Sequence, residues 1–343
     1  MSNSKIRNME EFAAVSGISR PTVSKYFNDP DSVRKSTRSK IEAALKEHDY
    51  RPNFYAINQN RRQTKTIGLV VPNLADPFFA AITRIMEGLI VDAGFNPLLL
   101  SSHGGPDQEI ANLESLRAIK PAGVLLAPLG RASTTSQIAA FADQIPTVLF
   151  DANLEGIGAA FFGSDNKRSI AQIVDYLCRS GEPPVFFEMK HPVNANAFRR
   201  RSAYTEAMER LSHAPVILQA DGEGWDFEKI GYDEGRRLIS QKSLATNTVL
   251  CSNDRLAIGF LAAAYESGIQ VGLGAQSALR VAGHDDHPFA RYTCPSLTTM
   301  SQDCESISRH SVQTILQLIE HGQSVGERQE TLFGAQLVMR NSA

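Results

Sequence analysis

From Thr66 onward the chain alternates short apolar runs with longer amphipathic segments, and that alternation leaves few folds open. The runs are TIGLVVP (66–72), FNPLLLS (95–101), AGVLLAP (122–128), PTVLFD (146–151), PPVFFEM (183–189), APVILQAD (214–221), NTVLCSND (247–254) and LRVAGHDD (279–286). Helical spacing fills most of the gaps: 78–93, 108–119, 167–179, 197–211, 229–241 and 256–267. Strands that are apolar on both faces and separated by crossover helices make parallel sheets of the doubly wound kind. Eight such strands predict two sheets, hence two α/β subdomains.

In open parallel sheets ligands bind beyond the carboxyl ends of the strands, and a cleft between two such subdomains suits a small molecule. The residues at those ends are polar. Asn73, Asp76, Asp151, Asn253, Asp254, Asp285 and Asp286 fall at or just after strand ends, and Arg199, Arg200 and Arg201 sit in the first turn of a helix. Carboxylates, amides and an arginine fork suit a ligand whose hydroxyls both donate and accept, and Trp225 and Phe78 offer flat apolar faces to its ring. Any single Asp or Asn after a strand also reads as a helix cap or turn former; the recurrence favours a site.

The first 66 residues differ in charge and in pattern. They hold 13 Lys and Arg against 7 Asp and Glu, a net +6, while the other 277 hold 22 against 30, a net −8. A basic head on an acidic body is expected where one end docks on a polyanion. Residues 8–28, NMEEFAAVSGISRPTVSKYFN, read as two short helices joined at Gly17, the outline of a helix-turn-helix reader of the DNA major groove. Met9, Phe12, Ala13 and Val15 form an apolar stripe on the first helix, Ile18 and Val23 close the core, Ser19 is the expected N-cap, and Pro21 falls in the first turn. Arg20, Thr22, Ser24, Lys25 and Asn28 remain for phosphates and base edges. A third helix is predicted from about Ser36 to His48, its face of Ile41, Ala44 and Leu45 covering the first two and its start, Ser36, Thr37 and Arg38, placed to hold phosphate.

A chain of 343 residues that is 42% hydrophobic can bury a large core. With no apolar leader in MSNSKIRNME and no apolar run of membrane-spanning length, it reads as a soluble cytoplasmic protein. Cys178, Cys251, Cys294 and Cys304 are widely spaced and suggest neither a zinc site nor a disulfide framework. His284-Asp285-Asp286-His287 is the one pattern that tempts a metal reading, but the run follows a strand and leads into Pro288, where side chains diverge, so no metal and no other cofactor is expected.

Five segments together resemble the lactose-repressor (LacI) family of transcriptional regulators over essentially the whole chain: FAAVSGISRPTVSKYFN (12–28), TRSKIEAALKEHDYRPN (37–53), TIGLVVPNLADPFFAAI (66–82), SNDRLAIG (252–259) and VAGHDDHPFARYTCPSLTTMSQD (281–303). The resemblance implies a DNA-binding domain over 1–52, a hinge helix and linker over 53–65, and an effector-binding core over 66–343. That core would resemble periplasmic sugar-binding proteins, with one subdomain of about 66–163 and 301–326 and another of about 164–300 and 327–343. It implies a repressor in which a homodimer meets a pseudo-palindromic operator and a small-molecule effector, most readily a sugar or polyol, alters operator affinity.

Position by position, the resemblance puts Arg20, Pro21 and Lys25 at base-facing positions, with Thr22, Ser24, Asn28 and Ser36 to Arg38 nearby, and Asn53, Tyr55, Ile57 and Gln59 in the hinge segment. In the core it points to Asn73, Asp76, Phe78, Asp151, Arg200 as the main hydroxyl clamp, Trp225, Asn253, Asp285 and Gln302, the last found by resemblance alone. Two residues depart from the family pattern. Gln59 stands where the family usually has a leucine wedge for the minor groove, so either Ile57 does that work, bending is weaker, or hydrogen bonding replaces insertion. Pro21 offers no hydrogen bond at a base-facing position, so direct readout leans on Arg20 and Lys25.

Other classes fit less well. A sugar-transport binding protein would share the core but has no use for residues 1–60, and a purine-type corepressor sensor would call for more stacking partners. An enzyme would need a catalytic constellation, and no G-x-x-x-x-G-K-[ST], G-x-S-x-G or G-x-G-x-x-G occurs. No leucine heptads follow Arg340, so a coiled-coil tetramer is not expected.

Overall fold

The computed structural model describes residues 6, 8–28, 30–50, 64–193, 195–274, 276–322 and 327–343, and the chain divides into two compact units, residues 1–64 and 65–343. In the first unit, α1 (Met9–Ser16) is capped by Asn8, whose side-chain oxygen accepts from the Glu11 amide at 2.8 Å, and it ends at Gly17 in the left-handed region, φ 66°. α2 (Arg20–Asn28) starts from Ser19, whose carbonyl accepts from the Val23 amide at 3.0 Å, and α3 (Lys35–His48) starts one residue earlier than expected. Phe12, Val23, Ile41, Ala44 and Tyr50 form the buried centre, with Phe12 and Tyr50 stacked at 4.8 Å. Val15 is a correction: it is 51% exposed, because Met9, Phe12 and Ala13 already define the buried face and Val15 lies off it.

The second unit holds two α/β lobes. In the first, β1 (Thr66–Val71), β2 (Asn96–Ser101), β3 (Gly123–Leu126), β4 (Thr147–Phe150), β5 (Ala160–Ser164) and β11 (Gln329–Phe333) form a parallel sheet in the order β11-β5-β4-β3-β1-β2. Helices α4 (Pro77–Asp92), α5 (Pro106–Ile119), α6 (Thr135–Ala142) and α11 (Cys304–His321) complete this lobe. Two apolar clusters fill its faces, one around Phe79, Met86, Phe150 and Phe162, the other around Leu113, Leu126, Phe141 and Phe161. In the second lobe β6 (Val185–Met189), β7 (Ile217–Ala220), β8 (Thr248–Cys251) and β9 (Arg280–Ala282) form a parallel sheet ordered β7-β6-β8-β9. It is flanked by α7 (Asn166–Ser180), α8 (Ala197–Arg210), α9 (Phe227–Ser240) and α10 (Asp254–Glu266). A small antiparallel pair, β10 (Thr299–Ser301) with β12 (Gln336–Val338), lies against its edge.

The chain crosses between lobes three times: after Ser164, after Ser301 and after Phe333. The last crossing corrects the expected subdomain boundary at 327, because 329–333 pairs in register with β5 and so belongs to the first lobe. Strands β5, β10, β11 and β12 and helices α6 and α11 had no counterpart in the sequence reading; the late strands carry mixed polar residues without alternation. FNPLLLS reads as a buried strand, yet β2 is a sheet edge, with Leu98 36% and Leu99 38% exposed.

Candidate functional site

The predicted cleft residues converge where the two lobes face each other, around a buried arginine. Arg200 is the fourth residue of α8 and 2% exposed. Its Nε donates to Asn166 Oδ1 at 3.0 Å, Nη1 to the Ser252 carbonyl at 2.7 Å and Nη2 to Asp285 Oδ1 at 2.9 Å. A guanidinium held at three corners is a fixed fork, and deleting it would leave a buried carboxylate without its counter-charge, at a cost of about 3–5 kcal/mol.

Asp285 follows β9 in a backbone conformation unusual for a side-chain-bearing residue, φ 123°. Besides Arg200 it receives Gln302 Nε2 at 2.7 Å and His284 Nδ1 at 3.0 Å. Burial pushes its carboxyl up, but Arg200 and His284 outweigh that and hold it below the usual range. Burial and the Arg200 charge lower His284 to about 4. The neutral ring therefore donates from Nδ1 to Asp285 and accepts from Ser169 Oγ at 3.0 Å through Nε2. His287 faces elsewhere and accepts from the Phe289 amide at 3.0 Å. Gln302 is held on its other side by the Ser164 hydroxyl, so its part is to orient Asp285.

Two further carboxylates come from the first lobe. Asp151, φ 61°, directly follows β4 and accepts from Asn196 Nδ2 at 2.8 Å. Burial raises it to about 7, with Arg200 lowering it and Asp285 and Asp76 raising it. Asp76 caps α4 by accepting from the Phe78 amide at 3.0 Å, and its Oδ2 accepts from Arg255 at 3.2 Å. Burial and then Asp285 push it up. Three aspartates, Asp285, Asp151 and Asp76, with the buried Arg200 among them make a strongly acceptor-rich cleft.

Asn253 commits its oxygen to capping α10, at 2.8 Å from the Leu256 amide, while its amide nitrogen remains at the wall it shares with Arg200, Ser252, Met189 and Phe227. The cavity there, about 10 Å³, is lined by second-lobe residues alone, so it belongs to one wall of the cleft and not to the space between the lobes. Trp225 lies at the seam, packed on the apolar clusters of both lobes. Its ring meets Phe79 edge-on at 6.3 Å and Phe227 at 5.8 Å. Phe79 is the first-lobe ring that meets Trp225, and Phe78 is half-buried and packs against Phe79. Asn73 uses its side chain in a turn, accepting from the Ala75 amide at 3.0 Å, and no contact joins it to the cluster among the described residues.

Arg255, Asn196, Asn166 and Phe79 were missed in sequence. Arg255 had a signal: a cation in the first turn of a helix opposes the helix dipole and calls for acidic partners. Asn196 precedes α8 like a cap but makes no capping bond; its amide crosses to Asp151 instead.

On the head, Lys25, Pro21 and Ser36 are exposed, and Ser24 and Thr37 are half-buried. Arg20 lies 3.5 Å from Glu10, an exposed pair. The Thr22 hydroxyl meets Ser19 Oγ at 2.8 Å. Arg38 is engaged by Asp31 at 2.5 Å and Glu42 at 3.1 Å. Asn53, Tyr55, Ile57 and Gln59 lie outside the described residues, as does the side chain of Asn28. Among the described residues no three His, Cys, Asp or Glu side chains gather as for a metal, and no helix is long and apolar enough to cross a membrane.

Comparison with known proteins agrees with this division. Residues 8–53 match the lacI family of bacterial regulatory proteins, and residues 170–343 match the periplasmic binding protein-like domain. The ribose operon repressor of Escherichia coli K12 is 28% identical over 316 residues, covering 91% of this chain and 92% of its own. The transcriptional repressor PurR of Histophilus somni is 26% identical, covering 97% and 98%. Among solved structures, the lac repressor dimer bound to operator and the anti-inducer ONPF superposes with a TM-score of 0.82 at 24% identity, covering 98% and 99%. A LacI family regulator from Enterococcus faecium with bound ribose superposes at 0.69 and 20% identity, covering 81% and 98%. The chain is a transcriptional regulator of the lacI family, with a helix-turn-helix head and a periplasmic binding protein-like core of two α/β lobes.

Proposed function

We propose that this regulator is a repressor that binds a pseudo-palindromic operator as a homodimer and releases or tightens its grip when a neutral sugar or polyol occupies the cleft between the core lobes. The observation that carries the ligand class is the Arg200 fork in a cleft with Asp285, Asp151, Asp76 and Asn253, with Trp225 at the seam of the lobes. Carboxylate and amide acceptors paired with a fixed guanidinium match vicinal hydroxyls, which donate to one and accept from the other. Two of the similar proteins, the ribose operon repressor of Escherichia coli and the Enterococcus faecium regulator with bound ribose, support a sugar. A purine would need its ring faces sandwiched, whereas Trp225 meets its neighbouring rings edge-on.

On the DNA side, Arg20 and Lys25 are the base-reading donors, Pro21 contributes shape, and Thr22, Ser24, Ser36, Thr37 and Arg38 contact the backbone. The ion pair of Arg20 with Glu10 is exposed and worth under about 1 kcal/mol, so DNA can recruit the arginine. The dimer reading is supported by exposed apolar residues on the first lobe, Val91, Leu98 and Leu99. Effector and operator are linked reciprocally: each alters the other's affinity by one factor through lobe closure.

A thermal-shift screen of sugars, polyols and nucleobases on the full chain tests the reading. A pentose or related polyol raises the unfolding temperature; a response to nucleobases alone would replace it with the purine reading.

A further inference from the structure

Arg255 joins the two lobes through a contact that no ligand mediates. It stands second in α10 of the second lobe, its guanidinium 5.0 Å over the Phe227 ring. Nε donates to Glu228 Oε1 at 2.7 Å and Nη2 to Glu228 Oε2 at 2.6 Å, a two-pronged pair within the lobe. The backbone makes that pair rigid: α10 approaches α9 so closely at Gly259 that a Cβ there would lie 2.0 Å from the Glu228 carbonyl oxygen. The remaining Nη1 donates across the cleft to Asp76 Oδ2 at 3.2 Å, with side chains 16% and 12% exposed. Glu228 and Phe227 thus fix Arg255 in its own lobe, and only the Asp76 bond depends on how the lobes face.

We propose that Arg255 is a positioning residue of the effector site: held by Glu228, it reaches across the cleft to fix the Asp76 carboxylate and so sets how far the lobes close. The clause about the effector rests on the proposed function, in which Asp76 faces the ligand; the lobe-closing contact does not. At this edge one cation faces two carboxylates, which leaves an anionic ligand group no unmatched positive charge and favours a neutral one.

The test uses Trp225, the chain's single tryptophan, which lies at the seam beside this contact. Acrylamide quenching of the full-length protein is measured without sugar, at low and high salt, for the wild type, Arg255→Gln, Arg255→Lys, Asp76→Asn and the double variant Asp76→Asn/Arg255→Gln, followed by titration with D-ribose. Quenching rises in Arg255→Gln and Asp76→Asn, rises no further in the double variant, recovers in part in Arg255→Lys, and rises with salt in the wild type, a readout that needs no variant to fold. Removing either partner weakens D-ribose about fivefold. Unchanged quenching in Arg255→Gln, additive effects in the double variant, or a wild type indifferent to salt would overturn the role of Arg255. Quenching that follows expectation in a protein blind to D-ribose would uphold that role and contradict ribose as the effector instead.

Discussion

Asn196 of the second lobe gives its amide to Asp151 of the first, 2.8 Å to the carboxylate and 3.1 Å to the carbonyl, with both side chains nearly free of solvent. An acceptor that ends a strand in one lobe is thereby matched by a donor beside a helix start in the other. Asn196→Ala removes that donor and leaves Asp151 buried with less to hold its charge. The variant is expected to lose about 1–3 kcal/mol of core stability and to raise the Asp151 pKa further. Denaturant titration with carboxyl-resolved NMR checks both, and an unshifted Asp151 would show that the amide does not support it.

Gly104 sits against the seam from the other side. Its φ is 76°, and a Cβ there would lie 2.5 Å from Trp225 Nε1. Gly104→Ala combines a strained backbone with a displaced indole, so it is expected to cost about 1 kcal/mol or more and to shift Trp225 emission to the red. An unmoved emission maximum would place Trp225 elsewhere.

Proton linkage gives a prediction with a definite sign. Burial raises both Asp151 and Asp254 to about 7, Asp285 adding to the rise in each. In the interval between the ordinary carboxylate pKa and that value the folded chain holds protons the unfolded chain has lost, so these groups subtract stability as pH rises toward 7. His284, lowered to about 4, acts oppositely: it subtracts stability as pH falls below the ordinary histidine value of 6.5. Asp254 accepts from the His287 amide at 2.7 Å and Thr299 Oγ1 at 2.6 Å. Asn in its place keeps an acceptor for the amide, and the hydroxyl can rotate. Asp254→Asn should therefore flatten the loss of stability between about pH 4 and about pH 7; an unchanged slope in denaturant titrations would remove Asp254 from the linkage.

For the head, Lys25 is exposed on α2 and reads bases in the proposed complex. Lys25→Ala is expected to weaken specific binding by about 1–3 kcal/mol while leaving nonspecific binding nearly intact. Equal losses on both, measured by anisotropy over a salt series, would make Lys25 a phosphate contact.

The strand-end rule located Asp76, Asp151, Asn253 and Asp285 because parallel strands deliver their carboxyl ends to one side whatever the details of packing. Arg200 was visible as a cation at a helix start, and the three-helix head through its periodic apolar residues and Gly17. What sequence could not show depends on relations between lobes. That Phe79 and not Phe78 meets Trp225, that Asn196 crosses to Asp151, and that Arg255 reaches Asp76 all follow from how two separately folded sheets face each other. The edge position of β2 was hidden for a related reason, since NPLLLS is as apolar as an interior strand and only pairing order decides which strand stands outermost.

Control of the DNA-reading head by the Arg200 cleft is tested by operator affinity with and without effector in the wild type and in Arg200→Ala. DNA selected from a random duplex library by the full-length protein supplies the operator, and the sugar or polyol that raises its unfolding temperature supplies the effector. The expected result is a pseudo-palindromic site whose affinity changes about 5–150-fold with effector in the wild type, and an Arg200→Ala protein that binds the same site without responding. An Arg200→Ala protein that responds like the wild type would contradict that control.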